Sequence, residues 1–182
     1  MRKTDARIRY TQGVLKQALL SFLQEKPINK ITVKEVCERA ELNRATFYAH
    51  YSDCFALLES IEEDLLEAFQ QSLKLVDSFD VTALIEAIYT MIEQQQEACR
   101  VLIFQNVCPN VLRRMISLAR GKSIAYWKQH LHRVTDAELE MLYTHLSNGL
   151  MHVVVEGYEK YSREEVVRFV NRIVQCSLSQ FQ

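Results

Sequence analysis

The chain has 182 residues, 48% of them apolar, and it contains only four glycines and two prolines. This composition excludes a disordered chain, and it lacks the turn residues that a β-rich fold requires. No run of 18 apolar residues occurs, so we expect no membrane span, and the charged N-terminus lacks the apolar stretch of a secretory signal. The five cysteines form no CxxC pair and are expected to be reduced thiols in a cytoplasmic protein.

The net charge of −1 is distributed unevenly along the chain. Residues 1–52 contain ten Lys and Arg against five Asp and Glu, whereas residues 53–182 contain 12 against 18. A basic segment suits a polyanionic partner and an acidic one does not. The sequence therefore predicts that the first quarter of the chain and the remainder serve different purposes.

Apolar residues at helical spacing predict a first helix over about residues 4–25. A second helix begins at Thr32, which forms a Thr-x-x-Glu capping box with Glu35. A short third helix follows over about 43–50, with Asn43 as its N-cap, and Asp53 caps a long fourth helix. The pattern breaks at Val76–Asp80, and further helices are predicted over 81–98, 100–107, 109–133, 136–158 and 162–179. An all-α protein is expected.

The segment from Ile31 to Leu58, ITVKEVCERAELNRATFYAHYSDCFALL, resembles the DNA-binding signature of the TetR (tetracycline-repressor) family. It has a Thr-capped helix, a three-residue turn, a short helix ending in Thr-Phe-Tyr-x-His-Tyr, and a long helix carrying Leu57-Leu58. With the first helix, the match covers about residues 7–60.

This resemblance implies about nine helices. A helix-turn-helix DNA-binding domain would occupy 1–52, the fourth helix (53–75) would connect, and a regulatory and dimerisation domain would occupy 76–182. The implied function is that of a sequence-specific transcription regulator, a homodimeric repressor on a palindromic operator that a small molecule releases, with no enzymatic activity and no cofactor.

The predicted recognition helix presents small or polar side chains that suit the major groove. Arg44 can bind a guanine in bidentate fashion, and Ala45 or the methyl group of Thr46 can contact a thymine methyl. Hydroxyl and imidazole groups nearby can reach phosphates, and the arm formed by Arg2, Lys3, Arg7 and Arg9 adds nonspecific attraction. The complete predicted DNA-binding set is Thr32, Lys34, Asn43, Arg44, Ala45, Thr46, Tyr48, His50 and Tyr51. The two tyrosines could instead be core aromatics, and Lys34 could be only a solvated charge.

Two positions depart from the family pattern. Glu41 stands where the family usually has Gly in a left-handed backbone conformation, which costs a non-Gly residue about 1 kcal/mol. Cys54 stands where a phosphate-binding Lys is common, so we expect somewhat weaker binding to the DNA backbone.

Residues 136–179 fit the dimerising helix pair of the family, with a capping box formed by Ser162 and Glu165 at the start of the second helix. Two apolar stripes are predicted to meet the second subunit, although they could pack only within one chain. They consist of Leu139, Leu142, Leu146, Leu150 and Val153 on one helix and of Val166, Val170, Ile173 and Val174 on the other.

The sequence does not reveal whether an effector exists; if one does, it is expected to be a largely apolar small molecule among residues 85–155, which offer aromatic and Met side chains but no clustered charge. The candidate lining residues, of a kind that at helical spacing is usually ordinary core, are Tyr89, Phe104, Met115, Tyr126, Trp127 and Tyr143. No metal site is predicted: His145 and His152 share a helix face but are interpreted as structural. Cys99 and Cys108 are interpreted as small core residues rather than oxidant sensors.

Two other classes of function remain open. A helical coactivator or adaptor that binds another protein would retain the fold without reading DNA. A cysteine-dependent enzyme would need a nucleophile, a base and oxyanion donors, and no Gly-rich phosphate loop or metal signature supports one.

Overall fold

The protein is described by a computed structural model over residues 3–74 and 81–181, and within these ranges every regular element is a helix. The predicted all-α architecture is confirmed, whereas the predicted break at 76–80 lies outside the described residues. The nine α-helices of the described ranges are α1 Lys3–Leu23, α2 Val33–Arg39, α3 Arg44–Tyr48, α4 Cys54–Lys74, α5 Val81–Gln94, α6 Gln96–Cys99, α7 Pro109–His130, α8 Asp136–Gly157 and α9 Arg163–Leu178.

One compact unit contains the described residues up to Leu65 together with residues 97–107. Its core is made by the apolar faces of α1–α3 and of the first part of α4. The fully buried side chains there include Leu15, Leu19, Val36, Phe47 and Leu57. The boundary of this unit falls within α4 rather than at its start, because the first turns of α4 supply part of this core.

The second compact unit contains the described residues of 66–96 and those of 108–181, including α5, α7, α8 and α9. Helices α7, α8 and α9 follow one another through short connections. Capping boxes define two of the helix starts, one formed by Ser162 and Glu165 and the other by Thr135 and Glu138. The box formed by Thr135 and Glu138 has the same Thr-x-x-Glu pattern as Thr32 and Glu35, so this helix start also has a local sequence signature.

The helix predicted over 100–107 is shorter in the structure and has π-helical rather than α-helical geometry. Residues Arg100–Phe104 form a π-helix directly after α6, and Asn106 then takes a left-handed backbone conformation with φ of 54°. Three consecutive residues of the π-helix, Val101, Leu102 and Ile103, are buried. A π-turn is wider than an α-turn, and here it accommodates three neighbouring apolar side chains in the core.

Glu41 adopts φ of 53°, as the comparison with glycine at this position anticipated. It ends α2 in a Schellman motif, in which the Leu42 N–H donates to the Cys37 carbonyl at 2.9 Å and the Glu41 N–H donates to the Glu38 carbonyl at 3.3 Å. The motif requires a left-handed residue at this place, and a side chain there is strained.

We predict that Glu41→Gly raises the free energy of unfolding by about 1 kcal/mol, because glycine takes the left-handed conformation without a steric penalty. Urea unfolding followed by circular dichroism measures the change. Glu41→Ala is the matched control, since it removes the same carboxylate and keeps the Cβ. If the two variants are equally stable, any gain in stability comes from removal of the carboxylate charge, and the backbone explanation is contradicted.

Candidate nucleic-acid interface

Helix α2 begins at a fully formed capping box. The Thr32 N–H donates to Glu35 Oε2 at 2.9 Å, and the Glu35 N–H donates to Thr32 Oγ1 at 3.3 Å. Lys26 Nζ lies 2.6 Å from Glu35 Oε1. Hydrogen bonds from Lys26 and then from Thr32 lower the pKa of Glu35 to about 2. The start of α2 is therefore held in a fixed place by an ionised carboxylate.

The third helix is held at its start by Asn43, as predicted. Asn43 Oδ1 accepts from the Thr46 N–H at 2.7 Å and from Thr46 Oγ1 at 3.0 Å. In the middle of the helix, Phe47 is fully buried. These two contacts fix which side of α3 faces outward.

The outward side of α3 carries Arg44, Ala45 and Tyr48, all exposed. Tyr48 is 57% exposed and rests edge-on against Phe47, with ring centroids 5.6 Å apart. Thr46 is half-buried, and its hydroxyl hydrogen is directed to Asn43. The outward side of the helix thus carries a guanidinium, a methyl group and a phenol.

The other residues predicted to contact DNA differ in their exposure and in the polar contacts that they already make within the protein. Lys34 is exposed, and its ammonium lies 3.7 Å from Glu38 in a surface pair of the kind that contributes little. Thr32 is exposed, but its hydroxyl donates to Glu35 at 2.8 Å. A phosphate at this helix start would therefore meet Thr32 as part of the capping box. His50 is half-buried.

Tyr51 is the predicted phosphate contact that the structure places elsewhere. The residue is 8% exposed, its ring centroid lies 6.0 Å from that of Phe47, and its hydroxyl is buried with no hydrogen-bond partner among the described residues. Position 51 follows the buried Phe47 by four residues and turns toward the same core. The phosphate role is therefore corrected to a core role in this conformation.

Cys54 is also a core residue, 5% exposed at the first turn of α4. Burial raises the pKa of its thiol to about 11, so the group is neutral and offers no charge to a phosphate. The exposed neighbour at this helix start is Phe55, which the sequence reasoning did not single out. The exposure of Phe55 depends on which face of α4 packs against the core, and residue type alone does not predict this.

Arg39 was not among the predicted residues, and its surroundings assign it a structural role. Its guanidinium lies 4.3 Å from the centroid of the Phe22 ring, and its Nη1 donates to Ser21 Oγ at 3.0 Å. This cation–π contact joins α2 to α1. Of the two arginines in the helix-turn-helix, Arg44 is the one not tied into the protein by such contacts.

The second unit contains an apolar cavity of about 70 Å³. Two of the six predicted ligand residues, Trp127 and Tyr143, line it, together with apolar side chains such as Ile88 and Met151. The Tyr143 hydroxyl donates to the Ile116 carbonyl, and burial raises the pKa of Tyr143 to about 12.

The other predicted ligand residues lie elsewhere. Met115 is fully buried. Tyr89 is buried beside Tyr158 and Arg163, and Tyr126 stacks on His130 with ring centroids 4.0 Å apart. Phe104 belongs to the first unit.

The predicted dimerisation stripes are largely core of the second unit. Five of the nine residues are buried within the chain, namely Leu139, Leu146, Val166, Val170 and Val174. Leu142, Leu150 and Val153 are half-buried, and only Ile173 is exposed. The exposed apolar side chains of these helices are Met141 (63%), Phe169 (45%) and Ile173 (42%). Of these three, Ile173 belongs to the predicted stripes, whereas Met141 and Phe169 each precede a predicted residue by one position.

The interpretation of Cys99 as a core residue agrees with the structure, in which Cys99 is fully buried. Burial raises the pKa of its thiol to about 12. Cys108 is half-buried. Within a single chain, the described residues contain no group of three or more His, Cys, Asp or Glu side chains that could hold a metal ion. Among the same residues, no helix is long and apolar enough to cross a membrane.

Comparison with solved structures identifies proteins that share this fold. The chain shares its fold with a TetR transcriptional regulator from Streptococcus agalactiae 2603V at a TM-score of 0.69 and 23% identity, over 94% of this chain and 97% of that one. It is similar to the dihydroxyacetone kinase operon activator DhaS at a TM-score of 0.65 and 15% identity, over 94% and 98% of the two chains. No protein-family model matches the chain.

A curated relative also matches part of the sequence. Over 62 residues the chain is 37% identical to an uncharacterized HTH-type transcriptional regulator, YxbF, from Bacillus subtilis. The match spans 34% of this chain and 16% of that relative. Together, the capped helix-turn-helix and these structural neighbours establish that the chain has the fold of TetR-type transcriptional regulators.

Proposed function

We propose that this protein is a transcription regulator that binds a specific DNA sequence through α2 and α3. The observation that carries the proposal is the capped, Phe47-anchored helix α3, which directs Arg44, Ala45 and Tyr48 away from the core. A short helix with this presentation matches the major groove in width and in chemistry. The excess of basic residues over 1–52 favours a polyanionic partner.

The three outward residues have separable roles in the proposed complex. Arg44 is not held by an intramolecular contact of the kind that holds Arg39, and a guanidinium can bind a guanine through two hydrogen bonds. Ala45 offers a methyl group to a thymine. The Tyr48 phenol is long enough to reach a phosphate, which positions the helix without selecting a base.

We further propose that two copies associate through the outer faces of α8 and α9. Three large apolar side chains on this surface, Met141, Phe169 and Ile173, are substantially exposed in the single chain. A groove of about 440 Å³ includes one of them, Phe169, in its walls, together with Val153 and Gly157. A second copy would cover this apolar surface and would place two recognition helices on a palindrome.

An effector, where one acts, is proposed to be a small apolar molecule bound in the cavity beside Trp127 and Tyr143. The polar groups of this cavity are engaged within the protein: Ser123 donates to the Ala119 carbonyl and Ser147 to the Tyr143 carbonyl. A cavity of about 70 Å³ is well below the roughly 300 Å³ of typical ligand pockets, so binding would require these helices to move apart. That displacement would be the conformational signal for release from DNA.

Whether the proposed regulator represses or activates transcription depends on where its operator lies relative to the promoter. Repression is the proposed default, since a dimer on an operator blocks access to the DNA beneath it. The structural neighbour DhaS is named as an operon activator, so activation by the same fold is the second candidate. Mapping bound genomic fragments relative to promoters distinguishes the two.

Arg44→Ala is expected to relax discrimination at one base pair of each half-site by about 1–3 kcal/mol, because a bidentate guanine contact is lost. Selection of bound sequences from a random pool identifies the operator, and affinities for single-base variants of it measure the change. Arg44→Lys retains the charge and loses the bidentate geometry, so it should relax discrimination and keep most of the nonspecific affinity. Unchanged base preferences in both Arg44 variants would contradict the assignment.

Tyr48→Phe should weaken binding to all sequences equally, because a phosphate contact does not select a base.

Phe169→Glu with Ile173→Glu is expected to convert the dimer into monomers, because burial of four carboxylates at the proposed interface is unfavourable. Sedimentation velocity gives the oligomeric state. Leu118→Glu is the matched control, since it places a charge on a comparably exposed apolar residue of α7. Dimers that persist in the double variant, with circular dichroism unchanged, would show that the two copies associate through another surface.

Reciprocity tests any candidate effector. A ligand that weakens operator binding by a given factor must itself bind more weakly by the same factor when operator is present. Isothermal titration of apolar candidates with and without operator gives both affinities. Equal ligand affinities under the two conditions would exclude that molecule as an inducer. Enlargement of the side chain at Ala119, which lines the cavity, should abolish binding.

A further inference from the structure

Helix α5 forms one wall of the apolar cavity of the second unit. Its residues Val81, Leu84 and Ile88 line the cavity. Most of the other lining residues belong to α7 and α8, which the Tyr143 hydroxyl joins through its bond to the Ile116 carbonyl. Among the described helices, α5 packs chiefly against α9. The size of the cavity therefore depends on where α9 holds α5.

Arg163, the first residue of α9, makes several contacts with α5. Its Nη2 donates to the Glu86 carbonyl at 3.0 Å and forms an ion pair with the carboxylate of the same residue. Its Nη1 lies 3.5 Å from Glu93 Oε1, and its Cζ lies 5.3 Å from the centroid of the Tyr89 ring. Steps of three and four residues place these partners on one flank of α5. We call this group of contacts the Arg163 clamp.

A second polar contact joins the same two helices at another level. Asn171 Nδ2 donates to Thr82 Oγ1 at 2.6 Å. Asn171 follows Arg163 on α9, whereas Thr82 precedes Glu86 on α5, so the helices are antiparallel and the two contacts lie about 12 Å apart along α9. Contacts at two levels oppose both sliding and rotation of α5. The lining residues 81, 84 and 88 lie on another flank of α5, because each residue advances the helix by 100°.

The Arg163 clamp leaves two of its own polar atoms unsatisfied. Tyr89 Oη and Arg163 Nε are both buried and have no hydrogen-bond partner among the described residues. Two carboxylates, those of Glu86 and Glu93, also share the single guanidinium. Movement of α5 would bring water to the unsatisfied atoms, which offsets part of the cost of breaking the clamp. These contacts can therefore hold α5 and still be released reversibly.

We propose that Arg163 is a positioning residue that sets the size of the effector cavity. While the clamp is closed, α5 limits the cavity to about 70 Å³. Release of the clamp lets α5 move and admits an apolar molecule of the size that typical ligand pockets hold. Such a molecule binds the released state alone, so its apparent affinity rises in proportion to the population of that state. This role rests on the proposed effector cavity.

The test uses the full chain with Arg163→Met, which removes the guanidinium and keeps an apolar stem. The probe is N-phenyl-1-naphthylamine, a neutral apolar fluorophore too large for the closed cavity. Energy transfer from Trp127, the single tryptophan of the chain and a cavity-lining residue, reports its binding. The dissociation constant of the probe should fall at least about fivefold in the variant. Amide hydrogen exchange in α5 should accelerate by the same factor, because both measurements follow the released population.

Lys160→Met is the matched control. It removes an ion pair of the neighbouring turn, in which Lys160 Nζ lies 3.0 Å from Glu156 Oε2, and this pair does not involve α5. Probe affinity and exchange should therefore stay at their wild-type values. The sign of the change separates positioning from a merely structural role, because general destabilisation of the folded protein would weaken probe binding and not tighten it.

Thr82→Val repeats the test at the second contact, since it keeps the side-chain shape and removes the acceptor of the Asn171 bond. It should change both measurements in the same direction, and it decides the matter if Arg163→Met does not fold. Wild-type probe affinity in the folded variants, or faster exchange without tighter probe binding, would overturn the positioning role.

Operator binding separates this role from the proposed function. A probe that binds Arg163→Met more tightly, and yet leaves operator affinity unchanged, would overturn the effector proposal and leave the positioning role in place. A probe that releases operator equally well from the wild-type protein and from Arg163→Met would overturn the positioning role alone.

Discussion

Burial of Phe47 is the contact on which the proposed DNA-binding surface depends. Helix α3 has five residues, far fewer than the dozen or so that an isolated helix needs in water. It exists because Phe47 is enclosed in the core of the first unit and because Asn43 satisfies the Thr46 amide at its start. With one face fixed in this way, the exposed positions are determined by the 100° step of the helix. Arg44, Ala45 and Tyr48 point outward as a consequence.

The same core contact explains why adjacent aromatic residues serve opposite purposes. Tyr48 follows Phe47 by one residue and is turned outward, whereas Tyr51 follows it by four residues and packs on it. A tyrosine can fill either role, because its ring is apolar and its hydroxyl is polar. Burial of the side chain, which leaves Tyr48 57% and Tyr51 8% exposed, rather than residue type, assigns the roles.

Local features of the sequence predicted more of this protein than long-range ones did. The capping boxes at Thr32 and Ser162, the Asn43 cap and the left-handed Glu41 each depend on residues within five positions of one another, and all are present. The outer face of α8 and α9 was not predictable in the same way. Apolar periodicity marks an amphipathic stripe but not which neighbour covers it, and Leu139, Leu146 and Val170 turned out to be covered within the chain. The π-helix at Arg100–Phe104, in which Val101, Leu102 and Ile103 are buried, likewise was not predicted from the sequence.

The energetics of DNA recognition connect the small size of α3 to the proposed dimer. A single good base contact gives roughly 1–3 kcal/mol of discrimination, whereas specific binding typically exceeds nonspecific binding by about 4–10 kcal/mol. In the proposed complex, helix α3 would present one guanidinium and one methyl group to the groove, so a single copy would fall short of that range. Cys54 supplies no cation at the start of α4, which would lower the nonspecific attraction in the proposed complex as well. Two copies fixed at successive major grooves double both contributions, and the apolar surface of Met141, Phe169 and Ile173 provides the burial that would hold them together.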